Sequence, residues 1–234
     1  MFQYILFDLD GTLTDPKLGI TTCVQYALKS FGIEEENLDK LEPFIGPPLL
    51  DSFKQFYGFD HEQALKGQEK YRERFAVIGW KENEMYPGID TLLKSLSEQG
   101  VKLAVASSKP GVFVEKILTH FGIRGYFSAV VGSELDGRRI NKDEVVLEAL
   151  RQLGVIDDAD AEQYLKEKEF TGEKRNDCAM VGDRKFDVEG AKAMKLTSVA
   201  VSYGYAQGDE LVEAGPDYLV DTVEELRKIL MQRD

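Results

Sequence analysis

Histidine and cysteine are scarce in this 234-residue chain, with two of each. Since His61 and His120 are the only histidines, a multi-histidine zinc site is excluded and a Ser–His–Asp triad is disfavoured. Cys23 and Cys178 lie far apart and outside any CxxC spacing. That argues against a disulfide framework and for a reducing, cytoplasmic setting. No apolar run reaches membrane-spanning length. The N-terminus lacks a basic region and a cleavage site, so no signal peptide is expected. Bases are also in deficit, 29 against 42 acids, for a net charge of −13. That balance disfavours a nucleic-acid polymer or an anionic membrane as partner. An acidic chain can still bind a small phosphorylated metabolite if positive charge is concentrated at one site. With 43% hydrophobic residues, the chain can bury the core of one large domain, or of a core plus a smaller unit.

The stretch that organises the rest is residues 3–15, QYILFDLDGTLTD. Tyr4 to Phe7 form a short apolar run ended abruptly by charge, as suits a strand buried on both faces of a parallel sheet. Asp8 ends that strand and Asp10 follows. Gly11 permits a sharp turn and brings backbone amides close to an anion. Two acids beside an anion site repel it unless a divalent cation is held there as well. A strand-ending turn is the plain alternative, because Asp and Gly are common in turns.

Helical spacing takes over after Asp15. Residues 18–31 repeat apolar positions at Ile20, Val24, Ala27, Leu28 and Phe31. Residues 37–41 read as a short helical turn. Phe44 to Leu49 is a loop containing two prolines. Leu49–Tyr57 reads as a helix ended by Gly58, and His61 to about Phe75 as a helix capped by Asp60. No convincing strand occurs over 15–85. Beyond Pro87-Gly88, strands and helices alternate. The strands are 101–106, Ala129–Val131, Cys178–Val181, Ser198–Val201 and Tyr218–Val220. The helices are Gly88–Gln99, Val112–Phe121, Asp143–Leu153, Val188–Met194 and Leu211–Gly215, with a last one capped by Thr222 and boxed by Glu225. Residues 157–177 are highly charged and weakly periodic, and read as a solvated excursion without chemistry. The alternation predicts an α/β fold with a doubly wound, parallel, Rossmann-like sheet. Residues 1–14 and 86–234 would form the core, and 15–85 an inserted all-helical unit.

The string DLDGTLTD resembles DxDGT, the first motif of the haloacid dehalogenase superfamily. Three later strings resemble its other motifs in the expected order. VASSKP supplies Ser107, GSELDG leads in to Lys142, and GDRKFD matches GDxxxD. The helical segment after the first motif also matches the caps of that family. The resemblance implies Asp8 as nucleophile, Asp10 as general acid/base, and Ser107 and Lys142 as phosphoryl-binding groups. It implies Mg²⁺ held by Asp8, Asp10, Asp183 and Asp187. Gly11, Thr12, Ser108, Lys109 and Arg72 are candidates for substrate binding, with Lys17 and Arg74 as further basic residues near the leaving group. Lys168 and Lys174 compete with Lys142 on sequence alone. The implied activity is phosphomonoester hydrolysis through an aspartyl phosphate. The chain looks closest to the phosphoglycolate phosphatase-like branch, with 5′-nucleotidase and β-phosphoglucomutase-like chemistry as alternatives. Asp10 disfavours dehalogenase and phosphonatase chemistry. A non-catalytic binding module is disfavoured by the full set of acids and Lys142. Neither the substrate nor the oligomeric state is fixed at this level.

Overall fold

A computed structural model describes residues 2–171 and 173–232. The apolar run at the N-terminus forms β1 (Tyr4–Phe7) at the centre of a six-stranded parallel sheet. Its neighbours are β4 (Lys102–Pro110) on one side and β6 (Arg175–Gly182) on the other. The order is completed by β5 (Phe127–Ser133) beyond β4, and by β7 (Leu196–Val201) and β8 (Tyr218–Val220) beyond β6. The chain thus winds outward one way from β1, then returns to wind the other way. The reversal lies between β1 and β6, and open α/β sheets bind ligands in the crevice at such a point.

Alternation along β1 feeds two separate apolar layers. Ile5 and Phe7 pack with α4 (Ile89–Glu98), α5 (Gly111–His120) and α10 (Val223–Met231). Leu6 faces the opposite layer, with α6 (Lys142–Gln152), α7 (Asp158–Glu167) and α8 (Lys185–Ala193). The sheet is therefore buried on both faces, as its near-continuous apolar strands require.

Between β2 (Thr14–Asp15) and β3 (Glu84–Met85) the chain is helical: α1 (Lys17–Lys29), a 3₁₀ stretch over Leu38–Phe44, α2 (Leu49–Tyr57) and α3 (His61–Phe75). β2 and β3 pair antiparallel, where the chain leaves the sheet and returns to it. This insertion has its own aromatic cluster. Phe53 is fully buried, stacked on Phe59 and edge-on to Phe44. Phe75 meets Phe113 of α5 edge-to-face, joining the insertion to the core.

Several expectations are corrected. The charged segment 157–177 is not a bare excursion. It contains α7, capped by Asp157, and inserts Ala161, Tyr164 and Phe170 into the second apolar layer. Tyr164 also donates a hydrogen bond to Asp143 at 2.8 Å. Few apolar residues suffice because α6 already offers a surface to cover. Two short strands do border 15–85, at its start and near its end. Thr222 caps α10 through the Glu225 amide, but the Glu225 carboxylate accepts from Asp221, so the box is not closed. α9 (Glu210–Ala214) completes the helices. Among the described residues, no helix is long and apolar enough to cross a membrane.

Candidate active site

The C-terminal ends of β1, β4 and β6 converge at the winding reversal, and each delivers chemistry there. The Asp8 amide donates to Val181 at 2.9 Å, so the β1–β6 pairing fixes where the Asp8 side chain starts. Gly11 turns the chain back at φ +79°. A Cβ at Gly11 would lie 2.1 Å from an Asp183 carboxylate oxygen, so only glycine allows the two loops to pack this closely. Asp183 follows β6 directly. One of its oxygens accepts from the Tyr205 amide at 2.7 Å, the other from the Thr12 hydroxyl at 3.3 Å. Asp187 sits in the first turn of α8 and accepts from the Arg184 amide at 3.0 Å.

Asp8, Asp183 and Asp187 are all buried, and each offers an oxygen within 4.8 Å of the others'. Lys142, the first residue of α6, answers part of this charge. Its Nζ stands 2.9 Å from Asp8 Oδ1 and 2.7 Å from Asp187 Oδ1. Those are ion-pair distances without hydrogen-bond alignment; the aligned bond from Nζ goes to the Ala106 carbonyl at 3.1 Å. Asp10 has its own cation, Lys109, at 2.7 Å, whose ammonium also lies 4.6 Å from the Phe75 ring centre. Four buried carboxyl groups thus face two ammonium groups, an excess of two acids over bases. Arg184 does not offset it, because its guanidinium is paired with Glu210.

Burial dominates the electrostatics. It pushes the Asp183 carboxyl well above the usual range, and the neighbouring Asp187 and Asp8 add to the shift. Burial raises Asp187 to about 6 against the pull of Lys142, and raises Asp10 against the pull of Lys109. Burial lowers Lys142, but Asp187 and Asp8 outweigh it and hold its ammonium above the ordinary lysine value. An all-oxygen donor set of three clustered, buried carboxyl groups that share a single ammonium fits a hard divalent cation.

A cavity of about 460 Å³ opens beside this cluster, between the insertion and the sheet. Asp10, Ser108 and Lys109 line it from the sheet side, and Phe44, Tyr71, Arg72 and Phe75 from the insertion. Ser107 is buried within the C-terminal half of β4, its hydroxyl accepting from the Lys109 amide at 3.3 Å. Of the competing lysines, only Lys142 reaches Asp8. Lys168 pairs with Glu144 at 3.1 Å, and Lys174 with Asp217. Two basic candidates lie elsewhere. Lys17 is held by Asp39 at 2.7 Å and by Glu42, while Arg74 makes a two-pronged bond to Glu82 at 2.6 and 2.9 Å. Neither lines the cavity, since each found an acid within its own surroundings. Sequence reasoning missed Arg184, Tyr203 and Tyr205. Tyr203 donates to the Thr12 carbonyl at 3.0 Å, and Tyr205 donates its hydroxyl to Asp15 as well as its amide to Asp183. Of these, only Arg184 carried a signal, as a base set between two motif acids in GDRKFD.

Comparison with known proteins agrees with this geometry. A family model described as haloacid dehalogenase-like hydrolase matches residues 5–201. A 5′-nucleotidase of Pseudomonas aeruginosa is 44% identical over 229 residues, covering 98% of this chain and 96% of its own. A phosphoglycolate phosphatase of Vibrio parahaemolyticus is 27% identical, covering 97% and 96%. The crystal structure of a predicted phosphatase from Clostridium acetobutylicum superposes with a TM-score of 0.87 at 42% identity, covering 99% of both chains. With its sheet and acid cluster in accord with the family model and with these three relatives, the chain belongs to the haloacid dehalogenase-like hydrolase family and is an enzyme of the phosphatase type.

Proposed function

We propose that the chain hydrolyses phosphomonoesters through an aspartyl phosphate on Asp8, and that nucleoside 5′-monophosphates are its preferred substrate class. One observation carries the chemistry. Two carboxylates two residues apart are buried at the end of the central strand, each held by its own ammonium group. Asp8 attacks phosphorus in line, forming the acyl–phosphate bond as the bond to the leaving oxygen breaks. Asp10, at the cavity wall, gives its proton to the leaving alkoxide. It then takes a proton from the water that attacks the aspartyl phosphate, releasing inorganic phosphate and restoring Asp8. Lys142 and Ser107 take up the charge that spreads over the phosphoryl oxygens, while the Gly11 and Thr12 amides are engaged within the turn by the Thr14 and Leu9 carbonyls. Ser108 and Lys109 flank the same group. Asp8, Asp183 and Asp187, with the Asp10 carbonyl, would hold Mg²⁺, which when bound adds positive charge beside those oxygens. We place the enzyme in the cytoplasm, in keeping with two free, buried thiols.

The cavity supports the substrate class. Its volume falls in the range that encloses a drug-sized ligand. Phe44, Tyr71, Phe75 and Phe113 provide aromatic surface for a base, with Gln68 and Arg72 as polar groups beside it. A two-carbon leaving group would fill little of that space. The identity to a 5′-nucleotidase over nearly the whole chain favours the same class. The test is phosphate release from nucleoside 5′-monophosphates, phosphoglycolate and hexose phosphates, with Mg²⁺ and with chelator. Mg²⁺-dependent release that favours the nucleotides is the expected result. Release that favours phosphoglycolate overturns the substrate class, and no release from any monoester overturns the hydrolase reading of Asp8.

A further inference from the structure

Arg184 stands between Asp183 and Asp187, yet its side chain turns away from both. It is 5% exposed. Nε donates to Glu210 Oε1 at 2.6 Å and Nη2 to Oε2 at 3.4 Å, while Nη1 donates to the backbone carbonyl of Ile45. Three segments far apart in sequence meet in this one contact: the loop of the helical insertion, the acidic motif and the start of α9. The loop is shaped to the guanidinium. Gly46 adopts φ +104°, and a Cβ there would come within 2.8 Å of Nη1 and 3.2 Å of Cγ. On its other side the loop faces the cavity, which Phe44, Gly46, Pro47, Pro48 and Leu49 line.

A buried guanidinium is tolerated only when its charge is paired and its N–H groups are satisfied. Glu210 pairs the charge and Ile45 satisfies a further donor. The Arg184 backbone is fixed in turn, because its amide donates to Asp187 at 3.0 Å. The cavity loop and the acid cluster are therefore referenced to the same residue. We propose that the Arg184–Glu210 pair is a specificity-determining clamp: it seats the Phe44–Leu49 loop at the height that admits a bulky leaving group. Arg184 is a positioning residue, since it touches neither the acids through its side chain nor the cavity. This inference rests on the proposed reading that the cavity holds the leaving group.

The test uses Arg184→Met, Arg184→Lys and, from the loop side, Gly46→Ala in the full chain. Two readouts are taken in Mg²⁺: kinetics on adenosine 5′-monophosphate and on acetyl phosphate, and amide hydrogen exchange over residues 44–53. For Arg184→Met, KM for the nucleotide rises roughly 10- to 100-fold, the scale of loss from a misplaced binding group. KM for acetyl phosphate changes by less than about threefold, and kcat for both holds within the same margin. Exchange over 44–53 speeds up while that over β1 does not. Gly46→Ala shifts nucleotide KM in the same direction, and Arg184→Lys falls between Arg184→Met and wild type. An equal loss on both substrates, or unchanged exchange over 44–53, overturns the clamp. If Arg184→Met does not fold, Gly46→Ala and Arg184→Lys decide by the same readouts. If wild type releases phosphate from no monoester, the proposed function has failed, and the exchange measurement alone still decides whether Arg184 holds the loop.

Discussion

Two lysines of the core and two basic side chains of the helical insertion meet opposite fates. Lys109 and Lys142 start at strand and helix ends that face the winding reversal, and both end on acids of the site. Lys17 and Arg74 start on helices of the insertion, and both end on acids of the insertion itself. Their chemistry is similar, and only the position of the backbone differs. Arg72, two residues before Arg74 on the same helix, lines the cavity instead, so what makes a cation available to a phosphate is the side of its element from which it grows. The strand ends of the core gather more acids than the two lysines answer, and so leave room for a cation.

Four substitutions would break or sharpen that contrast. The largest effect belongs to Asp8→Asn, which keeps the side chain's size but removes the nucleophile. Turnover should fall on the order of 10⁴-fold with circular dichroism unchanged, and retained phosphate release would refute the role given to Asp8. Next comes Lys142→Met, which leaves Asp8 and Asp187 buried without their ammonium. Urea unfolding should show a loss of about 3–5 kcal/mol, the usual cost of breaking a buried pair from one side. A loss under 1 kcal/mol would mean that Lys142 is not holding the acids together. In the insertion, Phe53→Ala empties the centre of its aromatic cluster and should cost about 3 kcal/mol by the same assay. Its effect on catalysis should fall on nucleotide KM before kcat, because the acids of β1 lie outside that cluster. The smallest effect is that of Asp60→Ala, which removes the cap and box at the start of α3. Thermal unfolding should register about 1 kcal/mol and kinetics no change.

Much of this molecule was legible because local signals matched local structure. Leu49–Tyr57 and His61–Phe75 appear with the bounds that their spacing predicts, with Gly58 and Asp60 as the marks between them. Asp8, Asp10, Lys142, Asp183 and Asp187 converge because each lies at the end of an element that the apolar pattern already located. What stayed hidden depends on partners distant in the chain. α7 was hidden because two apolar residues mean little without α6 beside them. The pairing of Arg74 with Glu82 was hidden because charge can be read from sequence but its partner cannot. Arg184 was hidden for the same reason, with its partners at positions 45 and 210.

The two short strands at the borders of the insertion have a consequence for how the enzyme can vary. Thr14 pairs with Met85 and Asp15 with Glu84, so the chain departs and returns at points about 5 Å apart, one strand spacing. Everything between them begins and ends at a single doorway, and the register of β1 against β4 and β6 does not depend on its length. A different insertion with closely spaced ends could be spliced there while Asp8 and Asp10 kept their places. On the proposed reading, such an exchange would carry away only the insertion's share of the leaving-group wall, while Ser108, Lys109, Phe113 and the Arg184–Glu210 pair would stay behind with the core.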